Sequence, residues 1–236
     1  ENLNRKFPGD GTSGPIAAIA RFVVDVLLPL ADAGIDFHSG GSSANYAITS
    51  FLCTCTDSAL YRKSFDLADA FHAPFMYVVD GKKSPTGFDP IAHAQNIPFM
   101  SNELGGGNID REAIRIGYHG ARNVLGHLNL IAAPENANNS KSSVYLDAVN
   151  GAGGVLAPFE GLFEAQFDVG DTVESGQTAG ILYSLDEVDR PPKELLFTDS
   201  GIVCVKSTTA RVVQGSHICM TAKAVARGEV LALADT

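Results

Sequence analysis

The 236-residue chain has no tryptophan, few basic residues and no long apolar run that is free of charge. Its 17 Lys and Arg residues against 27 Asp and Glu residues give a formal net charge of -10. Because no large basic cluster is present to neutralise phosphates, a nucleic-acid or membrane-surface partner is not expected. The longest apolar-rich stretch, IAAIARFVVDVLLPLADAG, is interrupted by Arg21, Asp25 and Pro29, so it predicts a core helix rather than a membrane span. A small-molecule substrate is the remaining expectation.

The cysteine and glycine patterns argue against two further classes of protein: those held together by disulfides or structural zinc, and those that bind nucleotides. The chain has four cysteines, none in a Cys-x-x-Cys pair: Cys53, Cys55, Cys204 and Cys219. This predicts buried thiols of a cytoplasmic protein rather than a disulfide or zinc framework. The glycine triplet Gly105 to Gly107 lacks the surrounding pattern of a phosphate-binding loop, so nucleotide binding is not predicted. Since the first residue is Glu and not Met, we expect the chain to begin within a longer protein.

The sequence divides into two regions that differ in their predicted secondary structure. Up to about Pro134, helical stretches alternate with short apolar runs, and Asp57 and Asp110 stand where two helices are predicted to begin. This alternation predicts an α/β layer with a largely parallel sheet. After the Asn/Ser-rich segment APENANNSKSS, short strands broken by Gly, Asp and Pro predict an all-β domain. We therefore predict an α/β domain over residues 1–140 and a β domain over residues 141–236.

The segment GIDFHSGG contains the first candidate for chemistry. Asp36 and His38 are two residues apart, so they share a face at the end of a predicted strand. Ligands of open α/β sheets bind at the carboxyl ends of strands. An imidazole there can ligate zinc while the carboxylate orients it. The alternative is a half-buried histidine that is hydrogen-bonded to the backbone.

Two further segments carry candidate groups. Glu103 closes the run IPFMSNE just before LGGG, where it can serve as a general base, or else be a solvated side chain or a helix cap. Asn4 and Arg5 lie side by side before a turn, where they can bind a carboxylate, although a surface arginine is the alternative. The remaining histidines show no ligand spacing and are predicted to be structural: His72, His93, His119, His127 and His217.

Four segments, in this order, resemble the succinylglutamate desuccinylase/aspartoacylase family of zinc-dependent amidohydrolases, relatives of the zinc carboxypeptidases: NLNRKFPG, IDFHSGG, ELGGG and GLFEAQFDVGDTVESGQTAGIL. The chain is most similar to the branch of N-acetyl-diaminobutyrate deacetylases of ectoine degradation. The resemblance implies a zinc-carboxypeptidase-like mixed sheet flanked by helices, N-terminally incomplete, and a C-terminal biotinyl/lipoyl-like β barrel. It also implies a deacylase of small N-acyl amino acids with Zn²⁺ as cofactor.

The same resemblance implies roles for individual residues. His38 matches a zinc-ligating histidine, Glu103 matches the general base, and Asn4 with Arg5 match the pair that grips the carboxylate of the substrate. The family's His-x-x-Glu ligand pair and its carbonyl-polarising arginine normally precede the Asn-Arg pair and have no counterpart here. If the 236 residues are the entire product, we expect weak or absent zinc binding, little activity and an unpaired sheet edge.

Two hypotheses follow from the sequence. The first is hydrolysis of the amide bond of an N-acyl amino acid by metal-activated water with a Glu general base. The second is a catalytically inactive, truncated relative that acts as a binding or assembly module, in which the β domain mediates the contacts of a homo-oligomer and the α/β part is a relic scaffold. Apart from this choice, the β domain is expected to shape the active-site entrance or subunit contacts. A lipoyl-type carrier is disfavoured because SLDEVDRPPKEL lacks the expected modified-lysine motif. The sequence does not specify the acyl group or the amino acid.

Overall fold

Helices and strands alternate through the first half of the chain in the computed structural model, which describes residues 2–83, 85–108, 110–132, 143–187 and 189–235. The helices are α1 (Pro15–Phe22), α2 (Ser58–Phe71), α3 (Phe88–Ala94) and α4 (Arg111–His127). The strands are β1 (Gly34–His38), β2 (Ala44–Tyr46), β3 (Thr49–Cys53), β4 (Phe75–Val79) and β5 (Phe99–Glu103). Four single-turn segments accompany them: Leu3–Arg5, Val23–Leu27, Leu28–Leu30 and Gly81–Lys83.

The second half is mostly strand. Its strands are β6 (Val144–Leu156), β7 (Gly161–Ala165), β8 (Thr172–Val173), β9 (Thr178–Ser184), β10 (Lys193–Leu196), β11 (Gly201–Ser207), β12 (Arg211–Val212) and β13 (His217–Val225). The chain then returns to helix in α5 (Arg227–Ala232) and a final 3-10 turn, Leu233–Asp235. These last residues pack against α2 in the core of the first half, where the Tyr61 hydroxyl donates a hydrogen bond to the Val230 carbonyl at 3.0 Å.

Nine of the described strands form one mixed sheet in the order β1-β5-β3-β4-β6-β13-β11-β2, with β8 paired to β11. The pairs β1–β5, β3–β4 and β4–β6 are parallel. The other pairs of this sheet are antiparallel. The mixed sheet flanked by helices is thus confirmed. Two of the three pairs between described first-half strands are parallel, as expected for the α/β layer, but the sheet as a whole is not largely parallel. The reason is that β3 runs against β5 and that β13 and β11 extend the sheet in antiparallel pairs.

The C-terminal half shares this sheet and adds a smaller one. In the described part of this half, four strands pair in the order β10-β9-β7-β12. An aromatic and aliphatic cluster fills the core of this region and includes Phe163, Leu182, Phe197 and Ile218. Because β6, β11 and β13 continue the sheet of the first half, a separate all-β barrel is not confirmed and stays a prediction. The proposed boundary at 140/141 and most of the Asn/Ser-rich linker lie outside the described residues.

The long helices α2 and α4 cover one face of the large sheet. Residues within or next to each helix explain where the helices begin and how closely they pack. Asp57 and Asp110 each accept hydrogen bonds from two backbone N–H groups of the following helix, which confirms both predicted caps. Gly120 of α4 allows close helix packing, because a Cβ at this position would lie 2.5 Å from the Phe71 ring of α2. None of the described helices combines the length and apolar character that a membrane crossing requires.

The opposite face of the sheet carries α1, α3 and the N-terminal segment. Phe7 stacks on Phe88 with ring centroids 4.6 Å apart, and Phe88 meets Phe99 of β5 edge-on at 4.7 Å. These contacts anchor the N-terminal segment to the first residue of β5 through Phe88. Among the described strands, β1 pairs only with β5, so its outer edge has no partner in the described part of the chain.

Three of the four cysteines are buried, as predicted, and Cys55 is partly exposed. Burial raises the pKa of Cys204 to about 12 and that of Cys219 to about 11, and it raises the pKa of Cys53 as well. These thiols therefore stay protonated at neutral pH, where the nucleophilic thiolate form is scarce.

Candidate active site

The ends of β1 and β5 lie side by side because these strands pair in parallel. Their register places His38 opposite Glu103 and Asp36 opposite Ser101. Since alternate residues of a strand point to the same side, all four side chains leave the sheet face that carries α1 and α3. The strand pairing therefore brings together two of the groups that the sequence singled out, along with the carboxylate beside His38.

The glycines that follow each strand hold the two ends together. The Leu104 N–H donates to the His38 carbonyl at 2.9 Å, and the Gly40 N–H donates to the Gly105 carbonyl at 2.9 Å. A Cβ at Gly40 would lie 2.0 Å from the Ala44 carbonyl oxygen, and Gly105 has a φ of +79°. Backbone geometry thus requires glycine at position 40 and favours it at position 105.

His38 is held by the carboxylate next to it. Its Nε2 lies 2.6 Å from Asp36 Oδ2 and 3.3 Å from Asn4 Nδ2. The hydrogen bond to Asp36 raises the pKa of His38, and partial burial opposes this shift. With the Nε2 proton directed to Asp36, Nδ1 is the ring nitrogen available to a metal or a ligand, since it has no hydrogen bond to a described residue.

Glu103 is a carboxyl group whose ionisation is hindered. Burial raises its pKa to about 7; the charge of His38 opposes the shift, and the charges of Asp36 and Asp89 add to it. Its buried Oε2 has no hydrogen-bond partner among the described residues. A carboxyl group that is close to half ionised at neutral pH and has a free oxygen can both accept and deliver a proton.

The N-terminal turn presents Asn4 and Arg5 to the same site. The Asn2 side chain accepts a hydrogen bond from the Asn4 N–H at 2.9 Å, which caps the turn. Asn4 Oδ1 accepts from the Phe88 N–H at 2.6 Å, and the Arg5 guanidinium donates to the Asn4 carbonyl at 2.6 Å. These contacts orient both side chains toward the ends of β1 and β5.

A cavity of about 310 Å³ is lined by all four predicted site residues, Asn4, Arg5, His38 and Glu103. The structure thus brings them together, while their individual roles stay predictions. The cavity also extends over the sheet face, because β3 is antiparallel to β5 and places Phe51 next to Ser101. The residues of β3 and β4 that line the cavity form its apolar wall: Phe51, Cys53 and Val79.

One buried carboxylate in this cavity was missed in the sequence. Asp89, in the first turn of α3, is only 5% exposed, and its two carboxylate oxygens lie 2.7 and 2.9 Å from the Ser101 Oγ that donates to them. Burial raises the pKa of Asp89 to about 6, and the hydrogen bond from Ser101 opposes the shift. The available signal was an Asp-Pro pair between apolar residues at the start of a short helix.

The described residues do not by themselves fit a complete zinc site. A catalytic zinc has three protein ligands and an open position. Within the described ranges, no group of three or more His, Cys, Asp or Glu side chains is arranged to hold a metal ion. His38 offers one ligand nitrogen, which is too few for stable binding.

Residues 1–128 match the family model described as the succinylglutamate desuccinylase/aspartoacylase catalytic domain. This match covers more than half of the chain and includes the four residues predicted for the site. The chain therefore belongs to the succinylglutamate desuccinylase/aspartoacylase family, as the sequence motifs implied.

Among individual proteins, the chain is similar to the N-alpha-acetyl-L-2,4-diaminobutyric acid deacetylase of Halomonas elongata. The two are 29% identical over 225 residues, which make up 95% of this chain and 66% of that protein. A solved succinylglutamate desuccinylase/aspartoacylase from Rhodobacter sphaeroides is 31% identical, with a TM-score of 0.87 over 96% of this chain and 68% of that one. The product-bound ectoine utilization protein EutE (DoeB) of Ruegeria pomeroyi is 27% identical, with a TM-score of 0.87 over 94% and 67%. The chain thus spans about two thirds of the length of these relatives.

Proposed function

We propose that this chain belongs to an enzyme that hydrolyses the amide bond of N-acyl amino acids. The observation that carries the proposal is the position of Glu103, a partly buried carboxyl group with a pKa of about 7 that lines the cavity opposite His38. Family membership and the name of the Halomonas relative support the same class of reaction.

In this proposal Arg5 and Asn4 bind the α-carboxylate of the substrate and fix the position of its amide bond. Glu103 accepts a proton from the water that attacks the acyl carbonyl, so that a new C–O bond forms. The protonated Glu103 then delivers this proton to the leaving nitrogen as the C–N bond breaks. Such proton transfer contributes roughly 10²- to 10⁴-fold to a reaction rate.

Zn²⁺ is kept as a proposed cofactor, with Nδ1 of His38 as one ligand and Asp36 orienting the ring. No step of the reaction is assigned to the metal, because the described residues supply a single ligand. We also propose that the C-terminal β region shapes the entrance of the site in a cytoplasmic enzyme.

The first experiment is a hydrolysis assay on N-acetyl-L-2,4-diaminobutyrate, N-acetyl-L-aspartate and N-succinyl-L-glutamate, with Zn²⁺ supplied and the free amino acid quantified. The Halomonas relative favours the first substrate. Glu103→Gln is the matched control, because it keeps the side-chain shape and removes the base. Turnover that is lost in this variant supports the proposal. No turnover of any of the three substrates by a zinc-loaded enzyme that contains this chain rejects it.

A non-catalytic binding module is the second candidate, favoured by the single ligand that the described residues offer to a metal. It predicts that amino acids bind without hydrolysis of their N-acyl forms. It also predicts far less than one zinc per chain by elemental analysis after dialysis. Near-stoichiometric zinc together with turnover would reject this candidate.

A further inference from the structure

The charged groups of the cavity have distinct surroundings, and one of them has no role in the proposed reaction. Among the described residues that line the cavity, the charged or titratable groups are Arg5, His38, Asp89 and Glu103, besides the thiol of Cys53 and the phenol of Tyr46. Arg5 is assigned to the substrate carboxylate, Glu103 to proton transfer, and His38 is paired with Asp36. Asp89 remains without a function.

The surroundings of Asp89 are unfavourable for the ionised form of its carboxyl group. It is 5% exposed, and among the described residues its side chain has one hydrogen-bond partner, the neutral hydroxyl of Ser101. No basic side chain forms an ion pair with it in the described part of the chain. The charge of His38, which is itself paired with Asp36, opposes the raised pKa of Asp89 only in part. Burial of this carboxylate is therefore still costly, and a cationic ligand would offset part of that cost when it enters the cavity.

The wall beside Asp89 suits the stem of such a ligand. Phe51, Cys53 and Val79 line the same cavity and offer apolar surface to methylene groups. Cys53 lies close enough to Asp89 for the carboxylate charge to contribute to the raised pKa of the thiol, after the larger effect of burial. Asp89 is therefore within electrostatic reach of this apolar wall as well as of Asp36 and His38.

We propose that Asp89 is the specificity-determining residue of this cavity and that it binds a short substrate side chain ending in an ammonium group. Arg5 and Asn4 would hold the α-carboxylate, the apolar wall would contact the methylene groups, and Asp89 would form the ion pair. The inference rests on the proposed function for the identification of the ligand as an amino acid. It adds the charge of the side chain, which the family alone does not fix.

The test is a set of dissociation constants measured by calorimetry at pH 7.5 with three free amino acids of similar length. L-2,4-diaminobutyrate carries an ammonium group, L-homoserine a hydroxyl group and L-aspartate a carboxylate. A hydrogen bond to a charged group is worth about 1.5 to 3 kcal/mol, which corresponds to roughly 10- to 100-fold in affinity. We expect diaminobutyrate to bind at least about tenfold more tightly than homoserine, and aspartate to bind most weakly.

Asp89→Asn keeps an oxygen for Ser101 and removes the charge. We expect it to weaken diaminobutyrate binding by roughly 10- to 100-fold and to leave homoserine binding within about twofold. The control is Asp25→Asn, which removes one carboxylate from an exposed pair with Arg21 and should leave all three constants unchanged. If Asp89→Asn fails to fold, the order of the three affinities in the wild-type chain still decides the question.

Several results would overturn the inference. These are preference for aspartate, equal affinity for all three amino acids, absence of binding at millimolar concentration, or equal weakening of all three by Asp89→Asn. A fifth is that Asp89→Asn lowers Zn²⁺ affinity but keeps the preference for diaminobutyrate, which would make Asp89 part of a metal environment instead. Selective binding without hydrolysis of N-acetyl-diaminobutyrate would reject the proposed function alone. Hydrolysis without preference for a charge would reject this inference alone.

Discussion

Replacing Asp89 with Asn is expected to stabilise the fold at neutral pH and much less in acid. Burial raises the pKa of Asp89 from 3.8 to about 6. Between about pH 4 and pH 6 the folded chain keeps a proton that the unfolded chain has released, so the free energy of unfolding falls as the pH rises. Each pKa unit corresponds to about 1.4 kcal/mol, so the ionised carboxylate destabilises the fold by about 3 kcal/mol above pH 7.

The asparagine variant has a similar shape and no charge to desolvate. Relative to the wild type, it should gain about 2 kcal/mol in free energy of unfolding when the pH is raised from 4 to 7.5, because the unfolded chain still titrates partly at pH 4. Urea denaturation followed by circular dichroism measures this difference, since the chain has no tryptophan to report by fluorescence. Both pH values lie away from the sequence pI of about 4.9, which favours solubility.

Comparison at each pH removes the contribution of Glu103, which both chains contain. Asp25→Asn is the control, because it removes an exposed carboxylate and should change stability by less than about 0.5 kcal/mol at either pH. The reasoning is refuted if Asp89→Asn and the wild type differ by the same amount at pH 4 and pH 7.5. That result would mean that Asp89 ionises as easily in the folded chain as in the unfolded one.

Three further perturbations address the cavity and its surroundings. Glu103→Gln should lower the hydrolysis rate roughly 10²- to 10⁴-fold, and the wild-type rate should rise with pH through about 7 as the base loses its proton; a flat pH profile would contradict the role of base. Arg5→Ala should raise the KM for an N-acyl amino acid by roughly 10- to 100-fold with a smaller change in kcat, and an unchanged KM would remove Arg5 as the carboxylate anchor. Asn102 is fully buried and its amide has no hydrogen-bond partner among the described residues, so Asn102→Leu should stabilise the fold by about 1 kcal/mol in urea denaturation. Destabilisation by Asn102→Leu would reveal a partner for the amide.

Features with a local cause could be predicted from the sequence. Asp57 and Asp110 cap helices because a short acidic side chain can reach N–H groups two and three residues ahead. His38 and Glu103 were found because an apolar strand that ends in a polar residue and glycines is visible in one segment. Their juxtaposition follows once β1 and β5 are paired in parallel, which brings their carboxyl ends to one place.

Features that depend on distant contacts could not be predicted. β3 runs antiparallel to β5. This direction depends on how the chain connects the two strands, and the pattern of apolar residues within either strand does not predict it. For that reason the cavity was expected at the strand ends, whereas it continues over the sheet face to Phe51. Asp89 was missed for the same reason, because its burial arises only when α3 packs on β5 and meets Ser101. From sequence alone, a single Asp at the start of a helix is normally interpreted as a solvated residue.

The distribution of charge in the cavity connects these observations. Glu103 and Asp89 both have raised pKa values with burial as the first cause, and their negative charges each contribute to the raised pKa of His38. Such a cavity favours positive charge, so an anionic side chain would meet repulsion from Asp89 and Glu103, while in the proposed binding mode Arg5 would attract the α-carboxylate. An amino acid with a cationic side chain would suit both the carboxylates and Arg5, because its ammonium group would face the former and its α-carboxylate the latter. Selectivity for the ammonium group would then come as much from rejection of an anionic side chain as from attraction of the cation, which is why aspartate is included among the three ligands.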